Sequence, residues 1–362
     1  MSKGLFHRAI AQSGVSSEPW SIDSTAHAKL YTENFAKAAK CPTTDPTQLL
    51  ACLRSKTSTE LLEAYLPQLR KHQLTKPHII GQWFEPTIEA VHDSETFLSQ
   101  HPLAIVEEGK AQQIPLILGQ VSSEGLLTAS HFYNDPSKIS RYESNFNELT
   151  TKLFEISENT PGKDEIGRKI REFYFPPNVT TTEDKLDQFT KMFSDSVFNL
   201  HIHQVASVQR KYSPMYLYNF NRRGGPSLTP FLIFFKEDIS VAAQGIFYLA
   251  KEFINRVIFR SLPPNYGVAH FDDMAFLFNV PNMFYIPKDD SEMYKFSKDF
   301  TKLWVSFAKN EDLAFRGLPF SQLDKTGPLK YFELNETPQI VEEVFGDRIA
   351  FLKSLGFLKY SY

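Results

Sequence analysis

Residues 114–125 read Ile-Pro-Leu-Ile-Leu-Gly-Gln-Val-Ser-Ser-Glu-Gly, and this stretch decides the fold. Its apolar first half, residues 114–119, predicts a buried strand because no charged side chain interrupts it. Strands of this kind lie inside parallel sheets that helices cover on both faces. In open α/β sheets, functional groups collect at the carboxyl ends of the strands, which is where Glu124 follows. The stretch therefore predicts an α/β fold with Glu124 as a candidate functional residue, against the commoner alternative of a glutamate on a surface loop.

Two further apolar runs predict strands of the same sheet. Residues 5–14 read Leu-Phe-His-Arg-Ala-Ile-Ala-Gln-Ser-Gly and end at a glycine. Residues 215–220 read Met-Tyr-Leu-Tyr-Asn-Phe and precede a turn at residues 222–225. A strand that is apolar on both faces needs neighbours on both sides. We therefore expect the first run to be a central strand that has lost one of its partners.

A histidine stands in a glycine-containing loop in the last third of the chain. Residues 267–273 read Gly-Val-Ala-His-Phe-Asp-Asp, between Pro263-Pro264 and an apolar run that begins at Met274. Gly267 permits a tight turn, and the two aspartates suit the first turn of a helix. His270 is therefore predicted in a loop just before a helix. Such a histidine is either an ordinary polar residue or a catalytic base.

Helical periodicity dominates the rest of the chain. It predicts helices over residues 24–40, 57–74, 291–309 and 340–355, and a mostly helical region over residues 129–210. Between residues 246 and 258, apolar side chains recur at helical spacing opposite charged ones. This segment is either a helix packed on the core or a lid helix that rests over a pocket or on a membrane.

The composition excludes several classes of protein. With 362 residues, 42% of them hydrophobic and 22% charged, the chain is long enough and apolar enough to form a large globular core. The net charge of −3, without a cluster of Lys and Arg, argues against nucleic acid as a partner. Neither a run of about 20 apolar residues nor a signal peptide occurs, so we expect no transmembrane segment in this chain.

Two features nevertheless favour the secretory pathway. Cys41 and Cys52 are the only cysteines, and Asn178 and Asn335 each begin an acceptor sequence for glycosylation. The cysteines are either two reduced core thiols or a local disulfide, and their close spacing around a turn favours the disulfide. In the chain-entropy model, closing so short a loop contributes roughly 3 kcal/mol to stability.

The sequence carries no pattern typical of a metal or cofactor site. His201 and His203 are separated by one residue in a predicted helix, so they do not share a helix face, and no third ligand stands at a suitable spacing. A phosphate-binding loop is also absent. We therefore expect neither a metal nor a cofactor.

The order of the candidate residues has a chemical meaning. Glu124 after a strand and His270 in a later loop form the second and third members of the order nucleophile, acid, histidine found in α/β-hydrolases. In that chemistry a serine attacks a carbonyl, the imidazole takes its proton, and the carboxylate fixes the tautomer and stabilises the imidazolium. All three groups are required for efficient catalysis.

At this point the sequence resembles the type-B carboxylesterases, which include cholinesterases, juvenile hormone esterases and insect α-esterases. Motifs along almost the whole chain carry the resemblance, in the order of the family: residues 5–14 with Pro19-Trp20, the cysteine pair, residues 115–125, 216–220, 267–270 and 303–308. The resemblance implies an α/β-hydrolase fold that hydrolyses small-molecule carboxylic esters. The residues of these motifs resemble those of insect esterases most.

The resemblance also implies roles for single residues. Glu124 would be the acid of the triad and His270 its base. Ser13 would lie behind the triad as a hydrogen-bond partner of the acid, and Trp20 would line the acyl side of the substrate pocket. Cys41 and Cys52 would form the loop disulfide of the family, and the parent protein would be secreted and glycosylated.

The sequence departs from the family in two places. The family carries a Gly-x-Ser-x-Gly motif and an oxyanion-hole glycine motif before the strand at residues 5–14, but neither occurs in this chain. We therefore expect residues 1–362 to be the C-terminal part of an α/β-hydrolase fold, with an incomplete, mostly parallel sheet and a helical lid region. Its partner would be the missing N-terminal portion, and the chain alone would be inactive. Residues 236–262 exceed the usual connection in the family and are predicted to be an insertion.

Two other interpretations stand beside the esterase. One is a catalytically silent relative that serves as an adhesion or binding protein on the same fold. The presence of both Glu124 and His270 argues against it, because a binding protein has no need of a buried acid–base pair. The other is an unrelated α/β protein that shares these spacings, and the agreement in motif order argues against that.

Overall fold

The computed structural model of the protein describes residues 3–75, 84–157, 159–234, 266–278, 286 and 291–357. These residues form a five-stranded sheet and a separate two-stranded hairpin, surrounded by helices. The predicted α/β architecture with a mostly parallel sheet is confirmed. The predicted insertion at residues 236–262, with its apolar helix, lies outside the described residues.

The strands are, in chain order, β1 (Ala9–Gln12), β2 (Leu116–Val121), β3 (Met215–Phe220), β4 (Ala314–Phe315), β5 (Leu318–Pro319), β6 (Lys330–Leu334) and β7 (Gln339–Glu342). The large sheet has the order β1-β2-β3-β6-β7, and β4 pairs with β5 in the hairpin. β1, β2, β3 and β6 run parallel, whereas β7 pairs antiparallel with β6. Within the described residues, β1 is therefore an edge strand of this sheet.

The helices of the first half are α1 (Thr25–Ala38), α2 (Pro46–Ser55), α3 (Ser58–Thr75), α4 (Pro102–Glu107), α5 (Leu126–Asn134), α6 (Ser137–Ser144), α7 (Phe146–Leu153) and α8 (Lys163–Tyr174). Those that follow are α9 (Thr182–Ser194), α10 (Leu200–Gln209), α11 (Thr229–Phe234), α12 (Met274–Leu277), α13 (Glu292–Lys309) and α14 (Gly346–Ser354). A π-helical turn, Asp195–Asn199, joins α9 to α10. The region predicted to be mostly helical is confirmed.

Alternation along the central strands explains why both faces of the sheet are covered. Successive side chains of a strand point to opposite faces. On β2, Leu118 belongs to the core under α5 to α10, whereas Ile117 and Val121 belong to the core under α13. On β3, Leu217 packs into the first of these cores and Tyr218 into the second. The continuous apolar runs in the sequence therefore reflect two cores, one on each face.

One helix prediction is wrong at its beginning. Residues 340–355 were expected to be a helical region, but Gln339–Glu342 forms β7, and only Gly346–Ser354 is helical. The backbone of β7 pairs with β6 from Lys330 to Glu333, and this tertiary pairing overrides the helical pattern of the sequence. Glu343 then adopts a positive φ of 47°, which ends the strand.

Candidate active site

Glu124 lies where the sequence predicts it, three residues beyond the end of β2. Its side chain is fully buried, and Oε1 accepts a hydrogen bond of 2.8 Å from the backbone N–H of Val121, the last residue of the strand. The next residue, Gly125, leads into α5. The carboxylate is thus held by the strand that precedes it, with Oε2 directed to another partner.

That partner is His270. Its Nδ1 lies 2.6 Å from Oε2 of Glu124, and the imidazole is 12% exposed. Because an ionised carboxylate only accepts hydrogen bonds, Nδ1 carries the proton in this contact. In the neutral imidazole, Nε2 then bears the lone pair and can accept a proton from another group. The structure therefore brings together the two residues, 146 positions apart in sequence, that were selected as acid and base.

The surroundings of His270 change its affinity for a proton. Burial lowers the pKa of His270, but the neighbouring Glu124 carboxylate raises it, and the net shift is upward from the ordinary imidazole value. Asp273 and Asp272 act in the same direction. The site therefore stabilises an imidazolium ion, which is the charge that forms when the histidine takes up a proton.

The turn that carries His270 is anchored to the end of β2. The backbone carbonyl of Val268 accepts a hydrogen bond of 3.0 Å from the N–H of Ser123. Gly267 has a φ of 130°, and a Cβ at this position would lie 3.1 Å from Oγ of Ser123 and from Cδ1 of Leu126. The positive φ favours glycine at this position, where the loop lies close to the side chains of the Glu124 turn.

The two aspartates after the histidine do more than begin a helix. Asp273 caps α12 through a hydrogen bond from the N–H of Met274, as its position in the sequence suggests. Its Oδ2 also accepts hydrogen bonds from Nε2 of Gln12 at 2.8 Å and from the Tyr218 hydroxyl at 3.0 Å. Gln12 in turn accepts one from the indole N–H of Trp304. Sequence analysis missed this buried network, which ties the histidine loop to β1 and β3.

An aromatic group flanks the imidazole. The ring of Phe198, in the π-helical turn, lies 4.9 Å from the imidazole, centroid to centroid. The indole of Trp20 lies 6.0 Å from Phe198, so Trp20 is connected to His270 through this ring. Phe198 carried no signal in the sequence beyond its apolar character. π-Helical turns occur frequently at functional sites, and here one delivers an aromatic side chain to the candidate base.

The expected hydrogen bond between Ser13 and Glu124 is not formed. Among the described residues, the buried Oγ of Ser13 has no hydrogen-bond partner. The backbone of Ser13 has a positive φ of 52°, and its N–H bonds to the carbonyl of Gly119 on β2. The two oxygens of Glu124 are instead engaged by Val121 and His270. Ser13 therefore lies beside the end of β2, and its side chain forms no hydrogen bond with the acid among the described residues.

A second buried glutamate was not anticipated. Glu18 is completely buried, and its Oε2 accepts a hydrogen bond of 3.0 Å from the N–H of Val15. Burial raises the pKa of Glu18 well above the usual carboxyl value, and the negative charge of Glu124 raises it further. Its position before Pro19-Trp20 gave no sign of burial in the sequence, since glutamate is rarely buried without a charged partner.

The predicted disulfide is confirmed. Cys41 and Cys52 are bonded, and the bridge links the end of α1 to α2.

The two glycosylation candidates differ in their surroundings. Asn178 is exposed in the loop before α9. The side-chain amide of Asn335 instead donates a hydrogen bond of 2.8 Å to Asn221.

The described part of the chain has neither a metal-binding cluster nor a membrane-spanning helix. No cluster of three or more His, Cys, Asp or Glu side chains within it could hold a metal ion. His201 and His203 bond to different groups, the carbonyl of Ser196 and the carboxylate of Glu343. None of its helices is long and apolar enough to cross a membrane.

The chain is similar to known proteins over a length that includes Glu124 and His270. A family profile described as the carboxylesterase family matches residues 1–352. The chain belongs to the carboxylesterase family. This membership implies the α/β-hydrolase fold, in agreement with the parallel sheet and the position of Glu124 at its carboxyl edge.

Individual carboxylesterases are similar to this chain at low identity. The juvenile hormone esterase of Tribolium castaneum is 24% identical over 99% of this chain and 60% of its own length. Esterase E4 of Myzus persicae is 26% identical over 86% of this chain and 50% of its own length. Venom carboxylesterase-6 of Apis mellifera is 27% identical over 64% of this chain and 41% of its own length. The chain thus spans about half the length of the curated relatives it matches.

Proposed function

We propose that this chain supplies the acid and the base of a serine carboxylesterase whose nucleophile lies outside its 362 residues. The observation that carries the proposal is the 2.6 Å contact between Nδ1 of His270 and Oε2 of Glu124, buried at the carboxyl edge of the sheet. A hydrogen-bonded pair of this kind, with Nε2 left to accept a proton, is the acid–base half of a hydrolytic triad. Membership of the carboxylesterase family supports the assignment of the reaction.

The reaction follows from the geometry of the pair. A serine hydroxyl attacks the ester carbonyl while Nε2 of His270 takes up its proton, so the imidazole becomes an imidazolium ion. Glu124 stabilises this ion through the short hydrogen bond to Nδ1. The imidazolium then returns the proton to the leaving alcohol. Water repeats the sequence on the acyl-enzyme, and the acid is released.

Three observations support a nucleophile outside this chain. The 362 residues contain no Gly-x-Ser-x-Gly motif. The chain spans 41% to 60% of the relatives compared above. In the described sheet, β1 is an edge strand although residues on it pack into a core. We infer that a strand carrying the serine pairs with β1 in the complete protein.

The proposed substrates are small-molecule carboxylic esters, and the proposed chemistry needs no cofactor or metal. Trp20, which lies against the buried ring of Phe198, would offer an apolar surface to the acyl group. We further propose that the complete protein is secreted, as the disulfide suggests, and that Asn178 is its more accessible glycosylation site. The insertion at residues 236–262 remains a prediction.

The first test measures the chain alone. Without a serine nucleophile or an oxyanion hole, it is expected to hydrolyse p-nitrophenyl esters no faster than background and to resist labelling by a fluorophosphonate probe. The acid–base pair by itself contributes at most roughly the 10²–10⁴-fold that is typical of general base catalysis. Stoichiometric labelling of any serine in this chain would contradict the proposal.

A further inference from the structure

One carboxylate connects the turn that carries His270 to a distant segment of the chain. Oδ2 of Asp272 accepts a hydrogen bond of 2.8 Å from the N–H of Ala269, the residue before the histidine. Its Oδ1 accepts one of 3.2 Å from the N–H of Leu228, 44 positions earlier and directly before α11. Asp272 is only 5% exposed, so water has little access to replace these bonds.

We propose that Asp272 is a positioning residue for His270, because its carboxylate ties the turn that carries the imidazole to the segment that begins α11. The importance of this tie for catalysis rests on the proposed function, in which His270 is the base. The tie itself does not depend on any activity. Asp272 acts through the turn and has no contact with the reacting atoms.

The backbone of the turn shows why such a tie is needed. Phe271, between His270 and Asp272, has a φ of 76°, a left-handed conformation that is unfavourable for a residue with a side chain. Its ring is 44% exposed, so burial compensates only in part. The hydrogen bonds that close the turn are the N–H of Asp272 to the carbonyl of Ala269, at 3.0 Å, and the side-chain bond to the N–H of Ala269. Loss of the Asp272 side chain removes the bond to the N–H of Ala269 and leaves the N–H of Leu228 without this acceptor.

The charges around Asp272 give the tie a dependence on pH. Within the described residues, the ionisable groups that act on Asp272 are Asp273 and His270, both on the same turn. The segment before α11 contributes no charge and presents the Ser227 hydroxyl and the Leu228 N–H to the carboxylate. Burial raises the pKa of Asp272 to about 7, against the N–H and hydroxyl donors that lower it. The Asp272 carboxyl therefore binds a proton more tightly when the turn is closed than when the turn is open and the carboxyl is solvated. By linkage, the contribution of Asp272 to closure is largest at low pH, weakens as the pH rises towards 7, and is constant above that value.

The test is hydrogen exchange at the amides of Ala269 and Leu228 in the full chain, with protection corrected for the intrinsic exchange rate. In the wild type, protection of both amides is expected to fall by up to about tenfold per pH unit between about pH 5 and pH 7. Asp272→Ala removes both acceptors and is expected to lower the protection of both amides about tenfold or more at pH 5. Asp272→Asn keeps one acceptor and cannot ionise, so the fall in protection between about pH 5 and pH 6 is expected to disappear, while His270 still contributes above the ordinary histidine pKa of about 6.5.

A matched control and a second signal separate positioning from general stability. Glu343→Gln removes a carboxylate that bonds to His203 on a different part of the molecule, and it should leave the pH dependence at Ala269 and Leu228 intact. The far-downfield proton resonance of Nδ1–H in His270, expected from its short bond to Glu124, should broaden or disappear in Asp272→Ala and persist in Asp272→Asn. An unchanged resonance in Asp272→Ala, or unchanged protection of Leu228, would overturn the proposal. Failure of the chain to take part in ester hydrolysis would leave both readouts as they are and would count only against the proposed function.

Discussion

Glu124 and His270 could be selected from the sequence because each stands at a position with a chemical meaning, the first after a buried strand and the second in a glycine turn. Their contact depends on details that the sequence did not reveal. The His270 turn lies against the end of β2 because Ser123 and Val268 share a backbone hydrogen bond. Asp272 and Asp273 were recognised as helix-opening residues, but their bonds to Leu228, Gln12 and Tyr218 come from the tertiary fold.

Replacement of Glu124 by glutamine tests the electrostatics of the pair. Burial lowers the pKa of His270 and the Glu124 carboxylate raises it above the ordinary value, so Glu124→Gln should lower this pKa. In the wild type, folding tightens proton binding by His270. The stabilisation that results is present below the pKa of an unfolded histidine and is lost as the pH rises through the raised value.

The measurement is an NMR titration of the imidazole resonances. Glu343→Gln is the matched control, since it removes the carboxylate partner of another buried histidine, His203, on a different part of the molecule. This control should leave the titration of His270 unchanged. A His270 pKa that does not fall in Glu124→Gln would show that the carboxylate does not stabilise the imidazolium.

At the scale of elements, the sequence predicts the strands that are apolar on both faces and fails for those at the antiparallel edge. β2 and β3 stand out because both of their faces pack into cores. β6 includes Glu333, whose carboxylate bonds to Gln339 on β7, so neither strand shows a continuous apolar run. The π-helical turn between α9 and α10 was also missed, because one extra residue in a helical turn hardly alters a helical pattern.

The junction between β2 and α5 holds Glu124 in place through a close backbone contact. A Cβ on Gly125 would lie 2.2 Å from the backbone oxygen of Thr190 and 2.5 Å from the backbone nitrogen of Ser194, both on α9. Since neither backbone atom can move independently of its helix, Gly125→Ala should destabilise the fold by about 1–3 kcal/mol. Urea denaturation followed by circular dichroism gives this value.

Gly14→Ala provides the comparison for that substitution. Its added Cβ would be 3.4 Å from the Trp20 ring, an ordinary contact with a side chain, so its midpoint of unfolding should stay closer to that of the wild type. Equal stability of Gly125→Ala and the wild type would show that α9 does not constrain the Glu124 turn.

At the scale of the whole molecule, the order of motifs was sufficient to predict the carboxylesterase family and an α/β fold. It was not sufficient to predict how the site is supported, because the buried carboxyl groups of Glu18, Asp272 and Asp273 have no sequence signature that distinguishes them from surface groups. Their burial follows from long-range packing around the strand ends.

Within the described residues, no strand pairs with β1 on the side away from β2, and this has a consequence for the behaviour of the isolated chain. An edge strand with unpaired backbone groups is prone to associate with other chains. Leu5 and Phe6, just before β1, are 79% and 43% exposed and add apolar surface at this edge. The chain is therefore expected to become more soluble when it is coexpressed with the N-terminal portion of a related esterase that contains a Gly-x-Ser-x-Gly motif.

Ester hydrolysis by that coexpressed pair, with and without the His270 side chain, tests the central claim most directly. The wild-type chain should restore turnover of a p-nitrophenyl ester, and His270→Ala should reduce it by about 10²-fold or more, because the serine then lacks the group that takes up its proton. Equal solubility of the two complexes would confirm that the substitution affects chemistry and not assembly. Hydrolysis at the wild-type rate by the His270→Ala pair would contradict the account.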